Sequence, residues 1–314
     1  MSRHVLIALS AGALSAVVSL TFLSGSPGGL LFVYLAPFPL FVVGLSLGVS
    51  AGIIASASGL VIATFLGGAF AALIFGILHA LPAILATRQA LQTEIGTNGT
   101  VSWYPAGFVL AGLAVLATIL FTAAAIAVWG AGETLTTTIA DTLERTLNTY
   151  APMIPITHRE QLLAGIIPYF PGLVGVSWIM IAAFNGTAAQ ALVKRAGKNI
   201  RPSVRLADLK APAWIAWAVV ASAVLALIAP GDLNYVARNV VVILAVPYFF
   251  MGLSVTHALA KRLSFPVVFL VAFYLSLIIS VWVVVFVACI GAIEHWMGLR
   301  HRFAGPDPAD EEEE

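Results

Sequence analysis

The sequence contains little charge and a single cysteine. Asp, Glu, Lys and Arg make up only 9% of its 314 residues, and the net charge is +1. A chain so close to neutral lacks the extended basic surface that nucleic-acid binding requires, so we expect no nucleic-acid partner. The one cysteine, Cys289, lies inside an apolar run and excludes an intrachain disulfide framework.

Several catalytic signatures are also missing. The sequence has no G-x-x-x-x-G-K-[ST] loop for a nucleotide phosphate and no G-x-S-x-G nucleophile elbow. It also has no H-E-x-x-H motif and no pair of histidines at the spacing of a zinc site. These absences predict a protein that is not an enzyme and that holds no metal and no cofactor.

Long apolar runs dominate what is present. Apolar residues make up 61% of the chain, and the mean hydropathy is +1.02. About 20 helical residues cross the hydrocarbon core of a bilayer, in which every backbone amide needs an internal partner. We therefore predict an all-α, polytopic transmembrane helical bundle of eight or nine spans. The nine apolar segments are Val5–Leu23, Leu30–Leu47, Gly48–Leu66, Gly68–Thr87, Pro105–Gly130, Leu163–Phe184, Ala213–Ala229, Asn239–Leu259 and Phe265–Ile293.

Basic residues predict the orientation of the chain in its membrane. The segment from Lys194 to Lys210 carries six Lys or Arg residues against one acid, Asp208. Because cytoplasmic loops are enriched in Lys and Arg, we expect this segment and the amino terminus inside. A count of nine spans places Arg300 and Arg302 outside, although their charge favours the cytoplasm. The side of the carboxyl terminus therefore stays open.

The predicted organisation has three parts. Residues 1–185 form a six-span helical core, residues 186–293 a basic cytoplasmic loop with three further spans, and residues 294–314 an acidic, disordered tail. The external linker 131–161 repeats Leu or Ile every four residues from Leu135 to Leu147. This spacing predicts an amphipathic helix that either lies on the membrane surface or forms a lid over the bundle.

Small residues recur at four-residue spacing in the first span, at Ala8, Gly12 and Ala16. There is little hydrophobic drive between helices in lipid, so close approach of small residues and van der Waals contact hold helices together. This first-span ridge predicts either packing within the chain or a docking face for another membrane subunit.

Few polar or ring-bearing residues interrupt the spans, and they are the candidates for substrate binding because polar groups in hydrocarbon are costly. His79 lies in the fourth span and Asn185 ends the sixth, while Tyr34 and Trp178 add amphipathic rings. Pro37, followed by a second proline, should interrupt the second span, and transporters place binding sites at interrupted helices. The alternatives are a helix–helix hydrogen bond for His79, an interfacial position for Asn185 and an ordinary kink at Pro37.

Four groups of short motifs carry a family resemblance. They are Leu35-Ala36-Pro37-Phe38-Pro39-Leu40 with the Gly44–Gly52 run; Leu81-Pro82-Ala83; Ser177-Trp178, Asn185, Arg201-Pro202 and Leu206-Ala207-Asp208-Leu209; and Pro247-Tyr248-Phe249, Gly252-Leu253, His257, Gly291, Trp296 and Arg300. Over residues 5–302 the chain resembles the YybS-like family of uncharacterised bacterial membrane proteins. The resemblance implies distant similarity to the substrate-binding subunits of energy-coupling-factor transporters, and a first helix that meets a partner. The family supplies no established catalytic residues.

Two functions remain open at this point. In the first, the protein is a small-molecule transport component: a pocket near the candidate residues binds solute, and the first helix docks a transmembrane partner linked to a separate ATPase. In the second, it is a non-transporting scaffold in the lipid bilayer that recruits envelope or morphogenetic proteins. A cavity with convergent polar groups favours the first, and an interior packed with apolar residues favours the second.

Overall fold

The computed structural model describes residues 2–24, 27–96 and 98–300. Regular structure in these ranges is helical apart from one short hairpin, which confirms the all-α prediction. The helices are α1 (Arg3–Ser19), α2 (Pro27–Val33), α3 (Phe38–Leu47), α4 (Val49–Phe75), α5 (Leu81–Ala90), α6 (Ala106–Gly130), α7 (Leu135–Tyr150), α8 (Ile156–Ile166), α9 (Phe170–Arg195), α10 (Ala213–Ile228), α11 (Gly231–Leu244), α12 (Val246–Ala260), α13 (Pro266–Ile279) and α14 (Val281–Met297). The antiparallel hairpin pairs β1 (Thr93–Ile95) with β2 (Val101–Trp103). Most of the predicted acidic tail, residues 301–314, lies outside the described residues.

The number of membrane spans depends on how broken helices are counted. Within the described ranges, five helical stretches are long and apolar enough to cross a membrane, or six if the bent pair α13 and α14 is one span. The five are Arg3–Phe22, Val49–Ala90, Ala106–Gly130, Ile156–Arg195 and Gly231–Ala260. Leu31–Leu47 and Ala213–Ile228 are apolar but shorter. The predicted count of eight or nine is therefore not confirmed.

The longest stretch, Val49–Ala90, is folded back on itself at Gly68. This glycine has φ 79° and ψ −179°, a non-helical conformation that glycine adopts readily. A Cβ built on Gly59 would collide with the ring of Phe75, whereas residues sixteen apart in a straight helix lie about 24 Å apart. The second half of α4 therefore packs against the first half and runs in the opposite direction.

The chain separates into two compact units. Unit 1 comprises Met1–Leu113 and Ser177–Arg205, and unit 2 comprises Ala114–Val176 and Leu206–Glu314. The predicted six-span core, residues 1–185, coincides with neither unit, because residues 114–176 belong to unit 2.

Glycines allow helices within each unit to touch through their backbones. In unit 1 a Cβ on Gly12 of α1 would collide with the carbonyl oxygen of Ala55 in α4. In unit 2 a Cβ on Gly252 of α12 would collide with the carbonyl oxygen of Val287 in α14. Such close approach gives van der Waals contact where lipid supplies no hydrophobic drive.

The predicted amphipathic linker helix is present as α7 in unit 2. Leu135 at its start is buried in a cluster with Ala125 of α6 and with Tyr235 and Val236 of α11, against which Ile139 also packs. The far end of α7 is more exposed. The helix is therefore attached to the unit through its first turns.

The end of α14 lies beside the segment that precedes α10. Nη1 of Arg300 donates a hydrogen bond to the carbonyl oxygen of Ala207 at 2.6 Å. The end of α14 and the segment around Ala207 therefore lie close together in unit 2.

Candidate functional site

The second predicted span is interrupted where the prolines predict. α2 ends at Val33 and α3 begins at Phe38, and hydrogen-bonded turns occupy residues 34–37 between them. Proline lacks an amide hydrogen, and its ring clashes with the preceding turn of a helix, which explains the break. Pro37 itself is fully buried.

Two side chains of unit 1 brace this interruption. Nδ2 of Asn185, in α9, donates to the carbonyl oxygen of Tyr34 at 2.8 Å and also to that of Ile181 at 2.8 Å. The hydroxyl of Ser15, in α1, donates to the carbonyl oxygen of Ala36 at 2.5 Å. The side chain of Tyr34 is 53% exposed, so the group that Tyr34 places in the interior is its carbonyl.

His79 lies in a π-helical turn, Gly76–Ala80, between α4 and α5. Its side chain is buried, and its ring meets the ring of Phe75 edge-on with the centroids 5.8 Å apart. Neither ring nitrogen has a hydrogen-bond partner among the described residues. The helix–helix hydrogen bond that was the alternative for His79 is therefore not formed there, and π-turns are frequent at functional sites.

Trp178 and Asn185 lie seven residues apart on α9, which places them on one face of that helix. Both are buried, and neither Nε1 of Trp178 nor Oδ1 of Asn185 has a partner within the described ranges. A buried polar group left without a partner costs about 1–3 kcal/mol, so each such atom requires an explanation, for example a bound water or ligand.

Three further buried atoms of unit 1 share this condition in the part of the chain that the structure describes. They are Oγ of Ser56, Oγ1 of Thr87 and Oε1 of Gln89. The fold-back of α4 relates Ser56 to His79: Phe75 packs against Gly59, and the two halves run in opposite directions. His79 follows Phe75 on the second half of this fold-back, and Ser56 precedes Gly59 on the first half.

The predicted site residues form two groups. Hydrogen bonding joins Asn185 to the main chain of Tyr34, beside buried Pro37. His79 and Trp178 make no side-chain hydrogen bond to any described residue, so none joins them to that group. The structure thus joins Asn185 to Tyr34 by a hydrogen bond, and His79 and Trp178 have in common that their buried polar atoms have no partner among the described residues.

The first-span ridge is covered by the chain itself. Ala8, Gly12 and Ala16 are all buried, and Gly12 meets the backbone of Ala55 and Gly59 in α4. This arrangement is the alternative in which the ridge packs within the chain. The surface that a partner would need for docking there is occupied.

Sequence reasoning missed how fully Asn239 is used in unit 2. Its Nδ2 donates to the carbonyl oxygens of Pro168 at 3.1 Å and Tyr235 at 2.9 Å, and its Oδ1 accepts from the amide of Gly172 at 2.7 Å. The hydroxyl of Tyr235 donates to the carbonyl oxygen of Ile167 at 2.6 Å. These bonds satisfy backbone groups that the prolines of the α8–α9 junction leave free, and the only sequence signal was an asparagine inside an apolar run.

An ion pair between a buried glutamate and a partly buried arginine was also missed. Glu294 of α14 accepts from Nε of Arg300 at 2.7 Å and from its amide at 3.1 Å, and Nη1 of Arg300 is 3.2 Å from Oγ of Ser254. In unit 1, Arg201 donates to the carbonyl oxygens of Ala90 at 3.0 Å and Tyr104 at 2.8 Å, and burial lowers the pKa of its guanidinium. These cations serve the fold through bonds that spacing in the sequence does not reveal.

Membrane-length helices, satisfied proline breaks and glycine-mediated packing define a polytopic α-helical membrane protein. The chain belongs to the family described as Predicted membrane protein (DUF2232), whose model matches residues 13–294. This match is consistent with the resemblance to the YybS-like family and does not confirm the more distant similarity to energy-coupling-factor subunits. No curated protein and no solved structure matches the chain. Among the described residues, no group of three or more His, Cys, Asp or Glu side chains could hold a metal ion.

Proposed function

We propose that the protein is a small-molecule transport component of a bacterial inner membrane and that it binds its solute in unit 1, near His79. The observation that supports this proposal is the set of buried polar atoms without partners in the described part of unit 1, in which His79 leaves both ring nitrogens unused. Polar groups inside membrane spans are costly and tend to mark function. The proposal involves no catalysis.

The unused atoms suggest the chemistry of the solute. Nε1 of Trp178 is a donor, Oδ1 of Asn185 and Oε1 of Gln89 are acceptors, and an imidazole can offer one of each. Among the described residues of unit 1, the only buried ionic side chain is Arg201, which is bonded to carbonyl oxygens. These features favour an uncharged molecule with both donors and acceptors.

The packing around His79 also supports this location. Phe75, which fills the space that Gly59 leaves, presents its ring to His79, so an aromatic surface adjoins the imidazole. Binding sites for small molecules combine such apolar surfaces with a few polar groups. The proposal does not use the ridge on α1 for docking, because that ridge is covered, and an energising partner with an ATPase would meet another surface.

The test compares His79→Ala with the wild-type protein by native mass spectrometry of the full chain in lipid nanodiscs. Small molecules that co-purify with the wild type should be lost from the variant, while the helical circular dichroism of the two proteins stays the same. His257→Ala is the matched control, because Nδ1 of His257 already lies 2.8 Å from the carbonyl oxygen of Leu253. The control should retain the bound molecules.

Two results would contradict the proposal. One is a wild-type protein that carries no small molecule and is not stabilised by any member of a library of uncharged metabolites. The other is a His79→Ala protein that folds and keeps the same bound molecule at the same occupancy.

The second candidate is the non-transporting scaffold, and a specific observation favours it. Backbone contacts at Gly12 and a separation of only 3.3 Å between a Cβ on Gly52 and Cα of Gly44 make the helices of unit 1 closely packed. If the wild type carries no solute, co-purification of envelope proteins with the full chain would support this alternative.

A further inference from the structure

Three large side chains are exposed at the junction between α7 and α8: Tyr150 ends α7, Met153 lies in the loop, and Ile156 begins α8 at the first residue of the candidate span Ile156–Arg195. Tyr150 is 80% exposed, Met153 92% and Ile156 72%. They occupy one short segment, residues 150–156, in which the remaining residues are alanine, isoleucine and two prolines. This anchor loop therefore presents an apolar tip with no charged side chain.

The guanidinium of Arg159 organises the backbone of the anchor loop. Nε donates to the carbonyl oxygen of Ile154 at 2.7 Å, and Nη2 donates to those of Ala151 at 3.2 Å and Pro152 at 2.5 Å. Nη1 donates to Oδ1 of Asn148 at the end of α7. One cation thus satisfies three carbonyl groups of the loop and ties the loop to the preceding helix.

Several other backbone groups of the anchor loop are also accounted for, whereas the amide and the carbonyl of Met153 have no partner among the described residues. Pro152 and Pro155 have no amide hydrogen, the amide of Ile154 donates to Ala151, and that of Ala151 donates to Leu147. The free-energy cost of moving a segment from water into lipid is smaller when few of its amide and carbonyl groups lack a hydrogen bond. Backbone groups in lipid must be hydrogen-bonded within the protein, because lipid offers them no partners.

We propose that residues 150–156 form a membrane anchor that inserts into the lipid on its own side of the bilayer. A protein partner could supply donors to loop carbonyls, whereas lipid cannot, so the internal satisfaction by Arg159 favours lipid as the occupant. Tyrosine is enriched at membrane interfaces, and the amphipathic α7 that leads into the loop is suited to the same plane. This inference does not rest on the proposed solute site.

The experiment measures the depth of a nitroxide in the full chain, reconstituted in nanodiscs of zwitterionic lipid. The native Cys289 is first removed as Cys289→Ser, and a spin label is attached to Met153→Cys. Collisions with oxygen, which concentrates in lipid, should exceed collisions with a water-soluble nickel chelate. Asp141→Cys, on the charged face of α7, is the matched control and should show the reverse.

Every other pattern at position 153 overturns the proposal. Dominant collisions with the nickel chelate would mean that the loop stands in water. Protection from both reagents would mean that a second copy of the chain or another part of the protein covers it.

A second variant tests the role of Arg159. On the labelled Met153→Cys background, Arg159→Lys keeps the charge but cannot reach four acceptors with one planar fork. The nitroxide should become more mobile and its ratio of oxygen to nickel collisions should fall severalfold. An unchanged ratio would remove Arg159 from the proposal.

Discussion

The two units treat their buried polar groups differently. In the described part of unit 2, buried Asn239 and Glu294 are bonded, and only the hydroxyl of Tyr248 lacks a partner. In the described part of unit 1, six residues bury polar atoms that have none. Among the described residues, folding therefore leaves more buried polar atoms without a partner in unit 1 than in unit 2, which is why we propose solute binding in unit 1.

Two asparagines make the difference concrete. Asn185 and Asn239 each brace a proline-broken segment of their own unit by donating to main-chain carbonyls. The amide oxygen of Asn239 accepts a hydrogen bond from Gly172, whereas that of Asn185 accepts none from a described residue. The same side chain is thus fully used for structure in one unit and half used in the other.

The largest loss of stability is expected for Arg300→Met in unit 2. Losing one partner of a buried ion pair typically costs about 3–5 kcal/mol, because the other charge stays buried and unpaired. Here Glu294 would lose the Nε donor and keep only the backbone amide of residue 300, and Ala207 and Ser254 would lose their contacts with Nη1. Thermal unfolding in nanodiscs should show a clear fall in melting temperature.

The control for that variant is Lys261→Met, because Lys261 is exposed. It should leave the melting temperature unchanged. Equal stabilities of the two variants would show that the ion pair contributes nothing and would remove the contrast between the units.

An intermediate loss of stability is expected for Asn239→Leu, and it should be larger than the loss for Asn185→Leu. The first substitution leaves the amide of Gly172 and the carbonyl oxygen of Pro168 without partners, which costs on the order of 3 kcal/mol. The second removes two donors but also an unused acceptor, so its cost is about 1 kcal/mol. Urea unfolding of both proteins in the same detergent measures the difference, and a larger loss for Asn185→Leu would reverse our ranking of the units.

The sequence predicted the helical class and several breaks because these depend on local chemistry. Hydropathy identified the apolar runs, Pro37 and its neighbour located the interruption before α3, and the apolar segments on either side of Gly68 met where α4 folds back. The four-residue repeat beginning at Leu135 located α7. Each of these signals lies within a few residues of the feature that it determines.

Features that depend on distant contacts could not be predicted in this way. The spacing of Ala8, Gly12 and Ala16 is the same whether α4 or another protein covers the ridge. Arg300 meets Ala207 only after several helices have packed, so the sequence could not reveal this contact. The candidate site has the same limit: sequence singled out His79, but only packing reveals that its nitrogens are unused.

The smallest effect on stability is expected for Ser56→Ala. Comparing it with Ser15→Ala distinguishes a buried hydroxyl without a partner from one that is bonded in the fold. Oγ of Ser56 is buried without a partner in the described residues, whereas Oγ of buried Ser15 donates to Ala36. Removing an unpaired hydroxyl should leave the free energy of unfolding unchanged or raise it slightly, while Ser15→Ala should lower it by about 1 kcal/mol. If Ser56→Ala were the more damaging change in ligand-free protein, its hydroxyl would serve the fold, and the excess of polar groups in unit 1 would be smaller than we infer. If it became damaging only when the co-purifying solute is present, the hydroxyl would belong to the binding site.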